Sequence, residues 1–125
     1  MSEKMSCACS ASPTLIFACS GAADVGEVAD HAARKMRDEG CGMMFCMAGI
    51  GGRVAGIMKT TEAAETILAI DGCPLNCVRS SLQQAGFTTF QHLQLADLGM
   101  AKGSTAVSDE NVARVAAAGA QLLSC

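Results

Sequence analysis

Four of the eight cysteines in this chain of 125 residues lie at or just beyond the ends of segments that have the pattern of buried strands. Cys19 follows one apolar segment, Cys46 lies near the end of a second, and Cys73 follows a third. Cys77 comes one helical turn after Cys73, in the run Cys-Pro-Leu-Asn-Cys. Zinc takes four tetrahedral ligands, which are often all thiolates. These residue types therefore suit a zinc site, and they also suit thiol redox chemistry.

The elements that must position these thiols are predicted from the spacing of apolar residues. Short apolar runs at residues 14–18, 43–47 and 67–70 predict buried strands, and a less apolar run at 87–95 predicts a strand nearer an edge. Helices are predicted between and after these strands. Their inward faces carry Val25, Val28, Ala29, Ala32 and Met36 in the first, Leu75, Val78, Leu82 and Ala85 in the third, and Val112, Val115, Ala116, Leu122 and Leu123 in the last.

Alternating strands and helices predict an α/β fold, a three-layer sandwich with a parallel sheet of about four strands, flavodoxin-like or Rossmann-like. Residues 14–125 form a single domain in this interpretation, and residues 1–13 form a flexible N-terminal arm. The C-terminal ends of parallel strands share one edge, where ligands bind. If the strand order is second-first-third, the thiols lie on direct neighbours.

One cysteine alone is more often a small buried hydrophobic residue. Four that converge on one edge favour metal or thiol chemistry. Cys73 and Cys77 also lie at a predicted helix start, whose partial positive charge is expected to lower the thiol pKa. Cys19, Cys46, Cys73 and Cys77 are therefore the predicted metal ligands, for one zinc ion per chain.

The other cysteines are kept out of this site. Cys41 begins the second predicted strand, and five strand residues separate it from Cys46 by ~16 Å, too far to share an ion. Cys7 and Cys9 lie on the arm, either as exposed thiols or for metal capture or disulfide exchange. Cys125 is assigned no role.

Composition and charge exclude several classes of partner. The net charge is −3 and the nine Lys and Arg residues are scattered, so we expect no nucleic acid and no acidic membrane surface as a partner. No apolar run approaches the ~18 residues of a membrane span. The first 13 residues lack a secretion pattern, so we expect a cytoplasmic protein with reduced thiols that serve as metal ligands or redox centres rather than disulfides. The expected partner is a metal ion, and protein partners stay unknown.

Gly49, Gly51 and Gly52 form a glycine-rich run after the second strand. The dinucleotide-binding pattern fails at Val54, and the P-loop pattern fails at Ile57, where lysine is needed. A tight turn is the first interpretation. An anion site made of backbone N–H groups and Arg53 is the alternative.

Asp71 and Asp97 both end predicted strands. Each could cap the turn that follows, orient a ligand or act as a general base. His31 lies off the apolar face of its helix and His92 lies within the fourth strand, so neither is predicted to be a ligand.

Four segments, ACSGAADVGEVAD, CMAGIGGRV, LAIDGCPLNC and LADLGMAKG, resemble the DGC-domain family, which is named after an Asp-Gly-Cys triplet. That triplet is Asp71-Gly72-Cys73 here, and the resemblance runs from about Leu15 to the C-terminus. Family members are described as proposed zinc-binding proteins with four shared cysteines. The resemblance places those cysteines at Cys19, Cys46, Cys73 and Cys77.

Three functions are open at this point. One is a binding module that holds zinc in a closed thiolate site. The alternative is a thiol-based redox enzyme that uses Cys19 as nucleophile, with Cys73 and Cys77 as a resolving pair. The third is metal-assisted hydrolysis at a zinc ion with one open position. No Ser-His-Asp or Cys-His order is present, and no particular reaction is predicted.

Overall fold

A four-stranded parallel sheet forms the middle layer of the structure, a computed structural model that describes residues 13–125. Residues 1–12, with Cys7 and Cys9, lie outside the described residues, so the predicted N-terminal arm stays a prediction. The strands are β1 (Thr14–Ala18), β2 (Met43–Met44), β3 (Thr66–Asp71) and β4 (Gln91–Gln94). Their order across the sheet is β2-β1-β3-β4.

The predicted fold and the predicted neighbours are thereby confirmed. All three strand pairs are parallel, and β1 lies between β2 and β3. The order second-first-third-fourth is that of flavodoxin-like sheets. The helices are α1 (Asp24–Asp38), α2 (Met47–Gly51), α3 (Ala55–Glu62), α4 (Cys77–Gln84) and α5 (Asp109–Leu122), and a 3-10 segment spans Leu95–Leu98.

The two faces of the sheet are covered by different helices because successive strand side chains point to opposite sides. Ile16, Leu68 and Ile70 pack with the buried residues of α1 and α5. Leu15, Phe17 and Ala69 pack on the other face with apolar residues of α2, α3 and α4. The core residues of both clusters are at most 6% exposed. Helices on both faces of one sheet make the predicted three layers.

The second strand is shorter than predicted. Residues 43–47 were expected to be one strand, but only Met43 and Met44 pair with β1, and Met47–Gly51 is helical. Cys46 keeps an extended backbone as the residue before α2, with φ −91° and ψ 104°. The glycine-rich run therefore forms a short helix and its end rather than a tight turn. Apolar runs of this length do not distinguish strand from buried helix.

The third predicted helix begins three residues late. Asn76 has left-handed backbone angles, φ 56° and ψ 49°, and its N–H donates to the Cys73 carbonyl at 3.1 Å. Residues 73–76 therefore form a turn, and α4 starts at Cys77. Leu75, predicted to be buried, is 71% exposed on this turn.

Cys41 and Cys125 form a disulfide, with their Cα atoms 5.6 Å apart. Cys41 follows α1 and Cys125 follows α5, and these two helices pack side by side on one face of the sheet. For this pair, the expectation of reduced thiols rather than disulfides is wrong. The two residues are 84 positions apart in the sequence, so no local sequence pattern predicts the bond. Within residues 13–125, no helix is long and apolar enough to cross a membrane.

We predict that Cys41→Ser or Cys125→Ser lowers the stability of oxidised protein. A cross-link across 84 positions restricts the unfolded chain, and its loss costs about 4 kcal/mol on the chain-entropy account. Urea unfolding followed by circular dichroism measures this in a chain without Trp or Tyr. With a reductant, wild type and both variants should unfold at the same urea concentration. Equal midpoints of oxidised wild type and variants would show that the bond contributes nothing.

Candidate functional site

Cys19 and Cys73 flank the point where the direction of the chain across the sheet reverses. From β1 the chain crosses to β2 on one side, whereas β3 and β4 lie on the other. The C-terminal ends of β1 and β3 therefore border a crevice, the usual ligand site of open α/β sheets. Cys19 directly follows β1, and its N–H donates to the Ile70 carbonyl of β3 at 2.9 Å. Cys73 lies two residues beyond the end of β3.

Two neighbouring cavities bring the four predicted thiols to one region. The larger, about 690 Å³, is lined by Cys19, Cys46 and Cys77 among others, and the smaller, about 400 Å³, by Cys19, Cys73 and Cys77. Cys19 and Cys77 border both. All four are free thiols, with Cys46 and Cys77 exposed and Cys19 and Cys73 partly buried.

This arrangement of thiols is not a formed metal centre. Among residues 13–125, no group of three or more His, Cys, Asp or Glu side chains is arranged to hold a metal ion. Thiolate donors suit zinc by type. The four thiols would have to come closer together to bind one ion, so the four-ligand zinc site stays a prediction.

Asp71, the first residue of the Asp-Gly-Cys triplet, holds the start of α4 in place. Its carboxylate is 1% exposed and accepts hydrogen bonds from the N–H groups of Val78 at 2.7 Å and Arg79 at 3.1 Å. These N–H groups have no partner within the helix, and a carboxylate there also complements the helix dipole. Asp71 thus caps the next helix, one of its predicted roles, and sets Cys77 relative to Cys73.

Strand β4 supplies two further contacts that the sequence interpretation missed. His92 Nε2 lies 2.8 Å from Asp71 Oδ2, and the Gln94 side-chain amide donates to Asn76 Oδ1 at 2.6 Å. Both side chains lie on the same face of β4, two residues apart, and both support the turn between Cys73 and Cys77. The sequence pattern that could have identified them is two polar residues, two positions apart, in a strand of a largely apolar sheet.

Gly72, the middle residue of the triplet, allows a close backbone contact. A Cβ atom there would lie 2.8 Å from the carbonyl carbon and oxygen of Val25, in the first turn of α1. Gly26 allows the next contact, because its Cβ would lie 2.7 Å from the Gly21 carbonyl oxygen. The loops that carry Cys19 and Cys73 therefore both pack against the start of α1.

The Cys77 thiol has a pKa raised above its ordinary value. Desolvation by surrounding groups is the main cause, and negative charge on Cys19, Cys73 and Asp71 adds to it, whereas Lys102 acts in the opposite sense. The expectation that the helix start lowers this pKa is wrong. Asp71 already occupies the N–H groups at that helix start and adds a negative charge nearby.

The larger cavity also has charged lining residues. Ser20 Oγ donates to Asp30 Oδ1 at 2.7 Å, and Arg34 Nε donates to Asp30 Oδ2 at 2.8 Å. Burial raises the pKa of Asp30, but the hydrogen bonds from Arg34 and Ser20 outweigh it, and the net pKa lies below the ordinary value. Arg37 lines the same cavity.

The remaining residues considered from sequence lie apart from the thiols. Asp97 is exposed in the 3-10 segment, and His31 is exposed on α1, 3.7 Å from Glu27. Arg53 Nη1 donates to the Ile50 carbonyl at 2.6 Å, so its guanidinium caps the end of α2. The anion site suggested for the glycine run thus has no support from Arg53.

Comparison with known proteins gives a family match and a curated relative. The sequence model of the DGC domain matches residues 15–118. The anaerobic and virulence modulator AnvM of Pseudomonas aeruginosa is 35% identical over 88 residues, which cover 70% of this chain and 67% of that protein. No solved structure shows a significant match.

We predict that Asp71→Ala destabilises the fold by about 2–4 kcal/mol, because it leaves buried N–H groups of α4 and the His92 ring without an acceptor. Alkylation of Cys73 and Cys77 should also accelerate as their turn loosens. Urea unfolding and mass spectrometry of the labelled peptides measure both effects. Asp97→Ala is the control, an exposed acid expected to change stability by less than ~0.5 kcal/mol. Equal behaviour of the two variants would refute this role of Asp71.

Proposed function

The chain belongs to the DGC domain family, and from that premise we propose that it works as a thiol–disulfide centre in which Cys19 reacts with Cys73 or Cys77. The observation that carries the proposal is the shared cavity. Three free thiols from two neighbouring strand ends border it.

The exchange proceeds in two steps. The Cys19 thiolate attacks one sulfur of a substrate disulfide, forms a mixed disulfide and releases the other substrate sulfur as a thiolate. Cys73 or Cys77, after losing its proton, then attacks the Cys19 sulfur and releases the second substrate thiolate. The substrate disulfide is reduced to two thiols, and the protein dithiol is oxidised to an internal disulfide.

The environments of the thiols suit a division of roles. Cys19 lies at the crevice and borders both cavities, which gives it access to a substrate from either side. The raised pKa of Cys77 keeps that thiol protonated near neutral pH, which suits a resolving residue more than a first nucleophile. The name of the relative AnvM refers to anaerobic conditions, which accords with chemistry that responds to oxidants.

We predict that Cys19 is alkylated first in chelator-treated protein near pH 7, and that Cys77 reacts more slowly until the pH rises. Below its raised pKa, Cys77 is mostly the unreactive thiol, so its rate should keep increasing at pH values where an unperturbed cysteine has levelled off. Mild oxidation should join Cys19 to Cys73 or Cys77, as peptide mapping can show. Cys46→Ser should leave that bond intact, whereas a map without any bond among these three thiols would reject the centre.

Zinc binding is the second candidate, and the ring of four thiols around one region favours it. Cys19, Cys46, Cys73 and Cys77 would supply four thiolates, the donor set of many structural zinc sites. Cys46 directly precedes α2 and Cys77 begins α4, and both thiols are exposed. The family resemblance to proposed zinc-binding proteins supports the same four residues.

If zinc is bound, protein purified without chelator should contain about one zinc per chain by mass spectrometry of the metal. Changing any of the four thiols to serine should greatly weaken zinc binding and lower the melting temperature, because metal binding adds to folding free energy. Cys41→Ser is the matched control and should keep the metal. Metal-free protein that also fails to take up added zinc would exclude this candidate.

A further inference from the structure

The larger cavity is lined by two chemically different sets of residues. Cys19, Cys46 and Cys77 are among its lining residues, and so are Arg34 and Arg37 of α1. Asp30 is the one acidic residue among its lining residues, and it pairs with Arg34. Asp38, which is not a lining residue, pairs with Arg37, so each arginine is matched by one carboxylate.

Arg34 is held in place but keeps donors to spare. Its Nε bonds to Asp30, which is itself fixed by the hydroxyl of Ser20, the residue next to Cys19. Within the described residues, neither terminal nitrogen of this guanidinium makes a hydrogen bond. In Arg37, by contrast, Nε and Nη2 each lie 2.9 Å from Asp38 Oδ1. Arg34 therefore has more unpaired guanidinium N–H donors than Arg37 with which to bind a carboxylate.

We propose that this cavity binds a carboxylate-bearing low-molecular-weight thiol, as the free thiol or as its disulfide, with the carboxylate on Arg34 and the sulfur toward Cys19. Its volume of about 690 Å³ lies in the range of small-molecule sites, roughly 300–1,000 Å³. The inference rests on the proposed function, because it names the substrate class of the same thiols. The disulfide form would react by the two steps given above, and the first step would release one carboxylate-bearing thiolate.

The test compares a charged and a neutral substrate. Glutathione disulfide carries carboxylates, and 2-hydroxyethyl disulfide does not. Mass spectrometry follows the mixed disulfide on chelator-treated protein at low and at near-physiological salt. Arg34→Gln should slow the reaction with glutathione disulfide by about tenfold, because one charge-assisted hydrogen-bond pair is lost. It should slow the reaction with 2-hydroxyethyl disulfide much less, because that disulfide has no carboxylate, and higher salt should reduce the difference between the two disulfides.

Lys35→Gln is the matched control, since it removes the same charge from the neighbouring position of α1, where Lys35 pairs with Glu39 outside the cavity. It should alter neither rate. If both disulfides react and Arg34→Gln behaves like Lys35→Gln, the exchange chemistry stands and the carboxylate site is wrong. If neither disulfide reacts, the exchange chemistry is wrong. Binding of reduced glutathione, followed by NMR, then decides the site: loss in Arg34→Gln alone supports it, and no binding or equal binding by both variants overturns it.

Discussion

The buried carboxylate of Asp71 is the contact on which the arrangement of thiols depends. It ends the central strand β3, accepts two N–H groups of α4 and meets His92 of β4, so three elements converge on one side chain. A buried carboxylate without such partners would be costly, and here every partner also fixes the turn that carries Cys73 and Cys77. Gly72 then lets this turn contact the backbone of α1. The first two residues of the Asp-Gly-Cys triplet thus position the turn, and the third, Cys73, is one of the free thiols.

The same framework holds the free thiols as neighbours around two adjoining cavities. Exchange between two thiols needs only one pair to meet at a time, whereas a zinc ion needs several ligands at once. The two proposed functions therefore make different geometric demands on the same four residues.

The parallel sheet and the meeting of the thiols at its C-terminal edge were predictable, because alternation of strand and helix implies parallel strands. The strand order entered the prediction only as a condition, and the structure supplies it. The short α2 was not, since an apolar, glycine-rich run fits strand, turn or helix until its packing is known. The hydrogen bonds of His92 and Gln94 depend on β4 lying beside β3, a relation that no local pattern contains. The direction of the Cys77 pKa shift was predicted wrongly, because the helix-start argument left out desolvation, which is the main cause, and the negative charges of Cys19, Cys73 and Asp71.

Helix α1 runs between the two edges of the sheet at which the cysteines lie. Its first turn packs against the loops of Cys19 and Cys73, its middle carries Asp30 and Arg34 beside the larger cavity, and its end leads to Cys41. The Cys41–Cys125 bond fastens α5 to the end of α1, away from the free thiols. Because α1 is one continuous helix of 15 residues, fixing its end limits its movement as a rigid body. The disulfide thereby stabilises the wall against which a ligand of the larger cavity would bind, although it contributes no atom to that wall.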